Sequence, residues 1–177
     1  MSDPFRVAFV CTGNRFRSPL AAALFSAETE GLAVEVSSLG TLDLGPVPAL
    51  PEAVTVAEEL GLDLTGHRAH RLDDLRAHDL VVGFERKHVM AAVVDAGAAI
   101  ERTFTLSELV ELLLGVSSSP MDARERIAEA HATRPPDFRN RPITEIRDPL
   151  GLPGPEQRAV AQAVEVQVSE LAASLFD

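Results

Sequence analysis

Cys11 stands six residues ahead of Arg17 in the run Cys11-Thr12-Gly13-Asn14-Arg15-Phe16-Arg17-Ser18, and it is the only cysteine of the chain. A thiol and a guanidinium at that spacing, on a short loop that opens a helix, suit chemistry at phosphorus. A loop of about six residues can turn its N–H groups inward around a tetrahedral anion, and the helix N-terminus behind it adds the same sign of field. Arg17 offers a planar fork for two oxygens of that anion. The same field stabilises negative charge on the Cys11 sulfur, the form that attacks. Thr12, Gly13, Asn14, Arg15, Phe16 and Ser18 complete the expected phosphate cradle. Gly13 is expected to take a backbone conformation that other residues resist, and Asn14 tolerates left-handed geometry and can bond the loop to itself. Ser18 is expected to cap the helix with Pro19 at its first position, and its hydroxyl can reach the sulfur. A lone cysteine is often only a small buried hydrophobe. Here the glycine, the arginine offset and the Ser-Pro start agree on a nucleophile. The Gly-Lys-Ser/Thr ending of a nucleotide-binding phosphate loop is missing.

Such a loop needs a strand before it and a helix after it. Phe5 to Val10 is an apolar run that reads as a buried strand, and Ser18 to Gly31 reads as a helix with Leu20, Ala23, Leu24 and Ala27 on one face. Further on, strands are expected at Val34 to Leu39, Asp79 to Phe84 and Glu101 to Leu106. Helices are expected at Pro51 to Gly61 and Glu85 to Ala96, and a long one from about Pro155 to Leu175, with Val160, Ala163, Val164, Val168 and Leu171 in one stripe. This alternation predicts an α/β fold: a single domain with a four-stranded parallel sheet and helices on both faces. Ligands of such sheets sit at the carboxyl ends of the strands, where Cys11 falls.

Val10-Cys11-Thr12-Gly13-Asn14-Arg15-Phe16-Arg17-Ser18-Pro19 resembles the signature of the low-molecular-weight protein tyrosine phosphatases. Four further stretches match that family in order: Ser38-Leu39-Gly40-Thr41, Gly66-His67-Arg68-Ala69, the run from Asp79 to Val89, and Asp148-Pro149. The resemblance implies a cysteine-dependent phosphatase that acts on phosphomonoesters, phosphotyrosine in proteins first, through a phosphocysteine intermediate and without a cofactor. It assigns Cys11, Arg17 and Asp148 to catalysis, Asp148 as the acid that protonates the leaving oxygen and then as the base toward water. It places Ser38 and His67 behind the loop, fixing it with Asn14 by hydrogen bonds. From the residues alone, Asp148-Pro149-Leu150-Gly151 is simply a turn before the last helix.

Where the family often has a second cysteine beside the arginine, this chain has Phe16, so a protective disulfide cannot form and Cys11 is open to overoxidation. Where the family often has tyrosines after Asp-Pro, this chain has Leu150 and Gly151, and it contains no Tyr or Trp. Any aromatic wall must then come from Phe16 or another phenylalanine. Arg15 reads either as a solvated surface charge or as a lure for acidic residues flanking the phosphate. Two other readings stay open: arsenate reduction with an external small thiol, which needs only Cys11, and a non-catalytic phosphate-binding module, which needs neither thiol nor acid.

The chain has 177 residues, 46% of them hydrophobic, enough for one packed domain. A formal net charge of −11 argues against nucleic acid or an anionic membrane as partner. The lone cysteine and the absence of a signal pattern or a long apolar run point to the cytoplasm. A phosphorylated protein or small phosphomonoester is the expected partner, with the chain a monomer or weak dimer. His70, His78 and His88 sit among charges and His131 lies further on, none in a metal-ligand pattern, so no metal is expected. The stretch from about 107 to 142 falls outside the matching motifs and reads as an insertion. It comprises a helix at Ser107 to Leu114, a linker at 117–120, a polar helix at Asp122 to Ala132 and a proline-interrupted loop at 134–142. Arg134, Arg139, Arg141 and Arg147 crowd its end. It reads as a lid beside the pocket or as a surface excursion.

Overall fold

The computed structural model describes residues 3–116 and 121–177. The linker expected at 117–120 lies outside the described residues. β1 (Phe5–Cys11) is an inner strand of the sheet. Its side chains alternate between two cores: Phe5, Val7, Phe9 and Cys11 enter the larger one, Ala8 and Val10 the smaller. Burial on both faces explains why the strand is continuously apolar after Arg6. β2 (Val34–Gly40), β3 (Leu80–Gly83) and β4 (Thr103–Thr105) complete a parallel sheet of order β2-β1-β3-β4. The four-stranded parallel sheet expected from the sequence is thus present.

The larger core lies under α1 (Arg17–Glu28), α2 (Pro51–Glu59), α4 (Leu106–Leu113), α5 (Ala123–Thr133) and α6 (Gly154–Phe176). The smaller lies under α3 (Arg86–Ala96), where Ala92 and Ala96 meet Val81 and Leu75. Helices therefore cover both faces. Chain connections leave β1 toward β2 on one side and later reach β3 on the other, so the carboxyl ends of β1 and β3 flank a crevice.

Several details differ from the sequence reading. α1 begins at Arg17, with Phe16 as its cap residue and no side-chain cap bond. Ser18 and Pro19 are inside the helix, because the Ser18 hydroxyl is taken by the loop. The buried face of α1 is Leu20, Ala21, Leu24 and Phe25, and Ala27 is exposed. β4 is shorter than expected, preceded by a 3-10 turn at Ile100–Arg102. Thr105 Oγ1 accepts from the Glu108 N–H, which starts α4 at Leu106 and ends the strand. On α6, Ala161 and Leu175 are buried while Ala163 is only half-buried. No helix among the described residues is long and apolar enough to cross a membrane.

Candidate active site

The loop between β1 and α1 keeps its carbonyls outward. Cys11 O accepts from the Thr41 N–H at 2.9 Å, Thr12 O from Leu42 at 3.0 Å, and Arg15 O from Leu50 at 2.8 Å. The Asn14 carbonyl accepts from His67 Nε2 at 2.7 Å. The N–H groups of Thr12, Gly13, Arg15 and Phe16 donate to no acceptor among the described residues. A run of carbonyls turned out and N–H groups turned in is the arrangement that binds an oxyanion.

Asn14 is the hinge of this turn. It is the one non-glycine residue with positive φ (52°) among the described residues, so the left-handed geometry falls there and Gly13 does not supply it. Gly13 lines the cavity, and a Cβ there would come into contact with Leu44 Cδ1 at 3.4 Å. Asn14 is fully buried. Its Nδ2 donates to Ser18 Oγ and to Ser38 Oγ, both at 2.9 Å, and its Oδ1 accepts from the His70 N–H. Gly40, at the end of β2, lies under the loop: a Cβ there would stand 3.0 Å from Asn14 Cβ, Asn14 N and Thr12 O.

The sulfur of Cys11 receives the Asn14 N–H at 3.2 Å and lies 3.0 Å from Ser18 Oγ, whose proton can go to the sulfur or to Leu39 O. His67 is half-buried. Burial pushes its pKa below the ordinary value, while the Asn14 carbonyl pulls the other way.

A cavity of about 300 Å³ opens at the carboxyl end of β1. Cys11, Thr12, Gly13, Arg15, Phe16, Arg17 and Asp148 share its wall. Asn14, Ser18, Ser38 and His67 stand behind the loop. Phe16 reaches the wall but is packed largely into the core. Arg15 is anchored at the lip by its Nε, which donates to Pro48 O at 2.8 Å.

Arg17 is 1% exposed along its side chain and is held through both of its terminal nitrogens. Nη1 donates to Glu85 Oε1 at 2.5 Å and to Ile146 O at 2.8 Å, and Nη2 to Asp148 Oδ2 at 2.7 Å. Glu85 is subject to burial, which raises its pKa, but its bonds from Arg17 and Lys87 outweigh that and the net shift is downward. Asp148 is 39% exposed and its other oxygen accepts the Leu150 N–H at 3.0 Å, the turn expected of Asp-Pro. Asp148 comes 131 residues after Arg17 in the chain, and the structure places the two side chains in contact.

A family model for low molecular weight phosphotyrosine protein phosphatase matches residues 6–117. The chain belongs to this family. It is a cysteine-based phosphatase of the low molecular weight protein-tyrosine-phosphatase type, with Cys11 in the phosphate loop. It is similar to a protein-arginine-phosphatase of Bacillus subtilis, 36% identical over 59% of this chain and 71% of that protein. It is also similar to low molecular weight protein-tyrosine phosphatase A of Mycobacterium tuberculosis, 39% identical over 50% of this chain and 57% of the other. A solved low molecular weight protein tyrosine phosphatase from T. tengcongensis superposes with a TM-score of 0.73 at 28% identity, over 97% of this chain and 99% of that one.

Sequence reasoning missed Glu85 and His88. His88 sits among charges as expected but is fully buried, and its Nε2 lies 3.0 Å from Thr12 Oγ1. It also missed the apolar wall, since Leu42, Leu44 and Leu50 join Leu150 around the phosphatase pocket. The four arginines near the end of the 107–142 stretch do not gather at the pocket. Arg134 is buried against Glu108, Arg147 pairs with Glu156, Arg139 lies over Phe138, and none lines the Cys11 cavity. Among the described residues no cluster of His, Cys, Asp and Glu could hold a metal ion.

Proposed function

We propose that Cys11, Arg17 and Asp148 hydrolyse phosphomonoesters in two steps, with phosphotyrosine in proteins as the substrate. The Cys11 sulfur attacks phosphorus opposite the leaving oxygen. The S–P bond forms as the P–O bond breaks, and Asp148 gives its proton to the leaving oxygen. Water then attacks phosphorus, the S–P bond breaks, and a water proton returns to Asp148. The inward N–H groups of the loop and Arg17 hold the three equatorial oxygens in both steps. A phosphoryl oxygen takes the place of the Asp148 carboxylate on Arg17 Nη2, which frees Asp148 to reach the leaving group. The observation that carries this reading is the meeting of sulfur, unpaired N–H groups, guanidinium and carboxylate in one cavity. Asn14, Ser38, His67 and Ser18 serve by holding the loop.

A second reading, phosphoarginine, is favoured by the relative from Bacillus subtilis that is named a protein-arginine-phosphatase. The pocket lip argues for the aryl ester. Leu42, Leu44, Leu50 and Leu150 offer a ring an apolar wall, and the Arg15 cation sits where a guanidinium would be repelled and acidic flanking residues attracted. The expected insertion at about 107–142 bears on the site through the short segment after it, because residues 145–148 carry Ile146 O and Asp148 to Arg17.

The test is hydrolysis of p-nitrophenyl phosphate, a phosphotyrosine peptide and phosphoarginine by wild type and Cys11→Ser, beside arsenate reduction with an external thiol. Wild type should prefer the phosphotyrosine peptide, and Cys11→Ser should lose at least ~10³-fold in rate. Phosphoarginine turned over faster than phosphotyrosine would move the assignment to the second reading. Hydrolysis surviving in Cys11→Ser would remove the mechanism.

A further inference from the structure

His88 belongs to none of the groups used above, yet it is fully buried and touches the phosphate loop. Its ring is read from both ends. Nδ1 faces two backbone N–H groups, those of Phe84 at 3.3 Å and Glu85 at 3.1 Å. An N–H can only donate, so Nδ1 carries its lone pair and no proton. The neutral ring must then be protonated at Nε2, and that N–H donates to Thr12 Oγ1 at 3.0 Å. Burial, with Arg17 nearby, holds the imidazole well below its ordinary pKa, at about 4, in keeping with a neutral ring. Gly83 makes room for it, since a Cβ there would stand 2.9 Å from His88 Cβ.

The hydroxyl of Thr12 has one proton and two lone pairs. With one lone pair taken by His88, and no other side-chain bond from Thr12 among the described residues, its proton is left for the cavity that Thr12 lines. We propose that His88 is a positioning residue which, by donating to Thr12 Oγ1, fixes the Thr12 hydroxyl as a donor to the phosphoryl group bound over Cys11. The backbone N–H groups and Arg17 then have a side-chain partner on the wall nearest α3. A histidine of the opposite tautomer would accept from Thr12 and leave only oxygen lone pairs facing the anion, which would repel it. The inference rests on the phosphatase reading and adds to it a side chain that touches substrate, the Thr12 hydroxyl, and a residue that acts through it, His88.

Two measurements test it. Nitrogen-15 NMR of the wild-type protein at neutral pH should show His88 as the Nε2–H tautomer, and the Nδ1–H tautomer would overturn the proposal. Inhibition of p-nitrophenyl phosphate hydrolysis by inorganic phosphate should weaken ~tenfold in Thr12→Val, as expected for losing a hydrogen bond to a charged group, and stay within about threefold of wild type in Thr12→Ser. His88→Leu should match Thr12→Val, and the double variant should be no worse than either single one. Phosphate binding unchanged in Thr12→Val, or losses that multiply in the double variant, would overturn the coupling. If His88→Leu fails to fold, the tautomer and the Thr12 pair still decide. Hydrolysis that depends on Cys11 but ignores Thr12 sinks this inference alone, whereas a wild type that neither hydrolyses nor binds phosphate sinks both.

Discussion

Two buried arginines of this molecule differ in how completely their partners are enclosed. Arg17 and Arg134 are almost equally hidden, with side chains 1% and 2% exposed. Each meets carboxylate and carbonyl oxygens and lies over an aromatic ring. Arg134 is closed on every side: Nε and Nη2 grip both oxygens of Glu108, Nη1 and Nη2 reach Ile100 O and Thr103 O, and Phe104 and Phe138 cover its two faces at 4.3 and 3.9 Å. It pins the end of α5 to α4 and β4. Arg17 has a fixed half, Glu85 and Ile146 O, and a loose half, the partly exposed Asp148. Arg134 has buried partners throughout, whereas Arg17 has one partly exposed partner, the carboxylate that the proposed mechanism exchanges for an incoming anion.

That contrast can be broken by substitution. Arg17→Met should lower kcat/KM for p-nitrophenyl phosphate by at least ~10³-fold, since it removes the charge opposite the transferring group. An equal loss per folded molecule in Arg134→Met would erase the distinction. Arg134→Met should instead cost about 3 kcal/mol of stability in urea unfolding, because Glu108 is left buried without a partner, while kcat stays within about threefold. Adding Glu108→Leu to it should return most of that stability. Asp148→Asn sharpens the comparison from the loose side. Its rate loss should be ~10²-fold on phosphotyrosine and smaller on p-nitrophenyl phosphate, whose leaving oxygen needs a proton less.

The smallest effect is on pH dependence. His88 is faced by Arg17, Glu85, Lys87 and Asp148, and burial is the main reason its pKa falls to about 4. The unfolded chain takes up that proton near the ordinary value of about 6.5. Between the two values the unfolded state binds more protons, so stability falls as pH drops through this window. His88 alone should account for about 2 kcal/mol between pH 7 and pH 4.5. Unfolding curves of wild type and His88→Leu at the two pH values should differ by that amount. Parallel pH dependences would place the proton uptake elsewhere.

The half of the site that lies in one stretch of chain was legible. Cys11, Arg17 and the turn at Asn14 follow from residue type and spacing, and β1 from an apolar run that could only be buried. The sheet was legible for the same reason. Glu85 and His88 were hidden because they lie about 70 positions from the loop and read locally as charges opening a helix. Only the β1–β3 pairing brings them beside Arg17 and Thr12. Ser18 has the identity of a cap, but a tertiary demand on its hydroxyl from Asn14 and the sulfur overrode the local preference. Arg134 looked like one of four arginines clustered at the end of one stretch, since nothing nearby in sequence announces Glu108 or Phe104.

Gly40 carries no functional group, yet the aim of the thiol depends on it. The strand it ends leaves just enough space for the backbone of Asn14, whose N–H steadies the sulfur. One methyl group added there would press from beneath on that amide and on the Thr12 carbonyl beside it. The reactivity of this sulfur is therefore guarded by a missing side chain on a neighbouring strand, and damage to β2 packing would register as lost turnover before it registered as a lost fold.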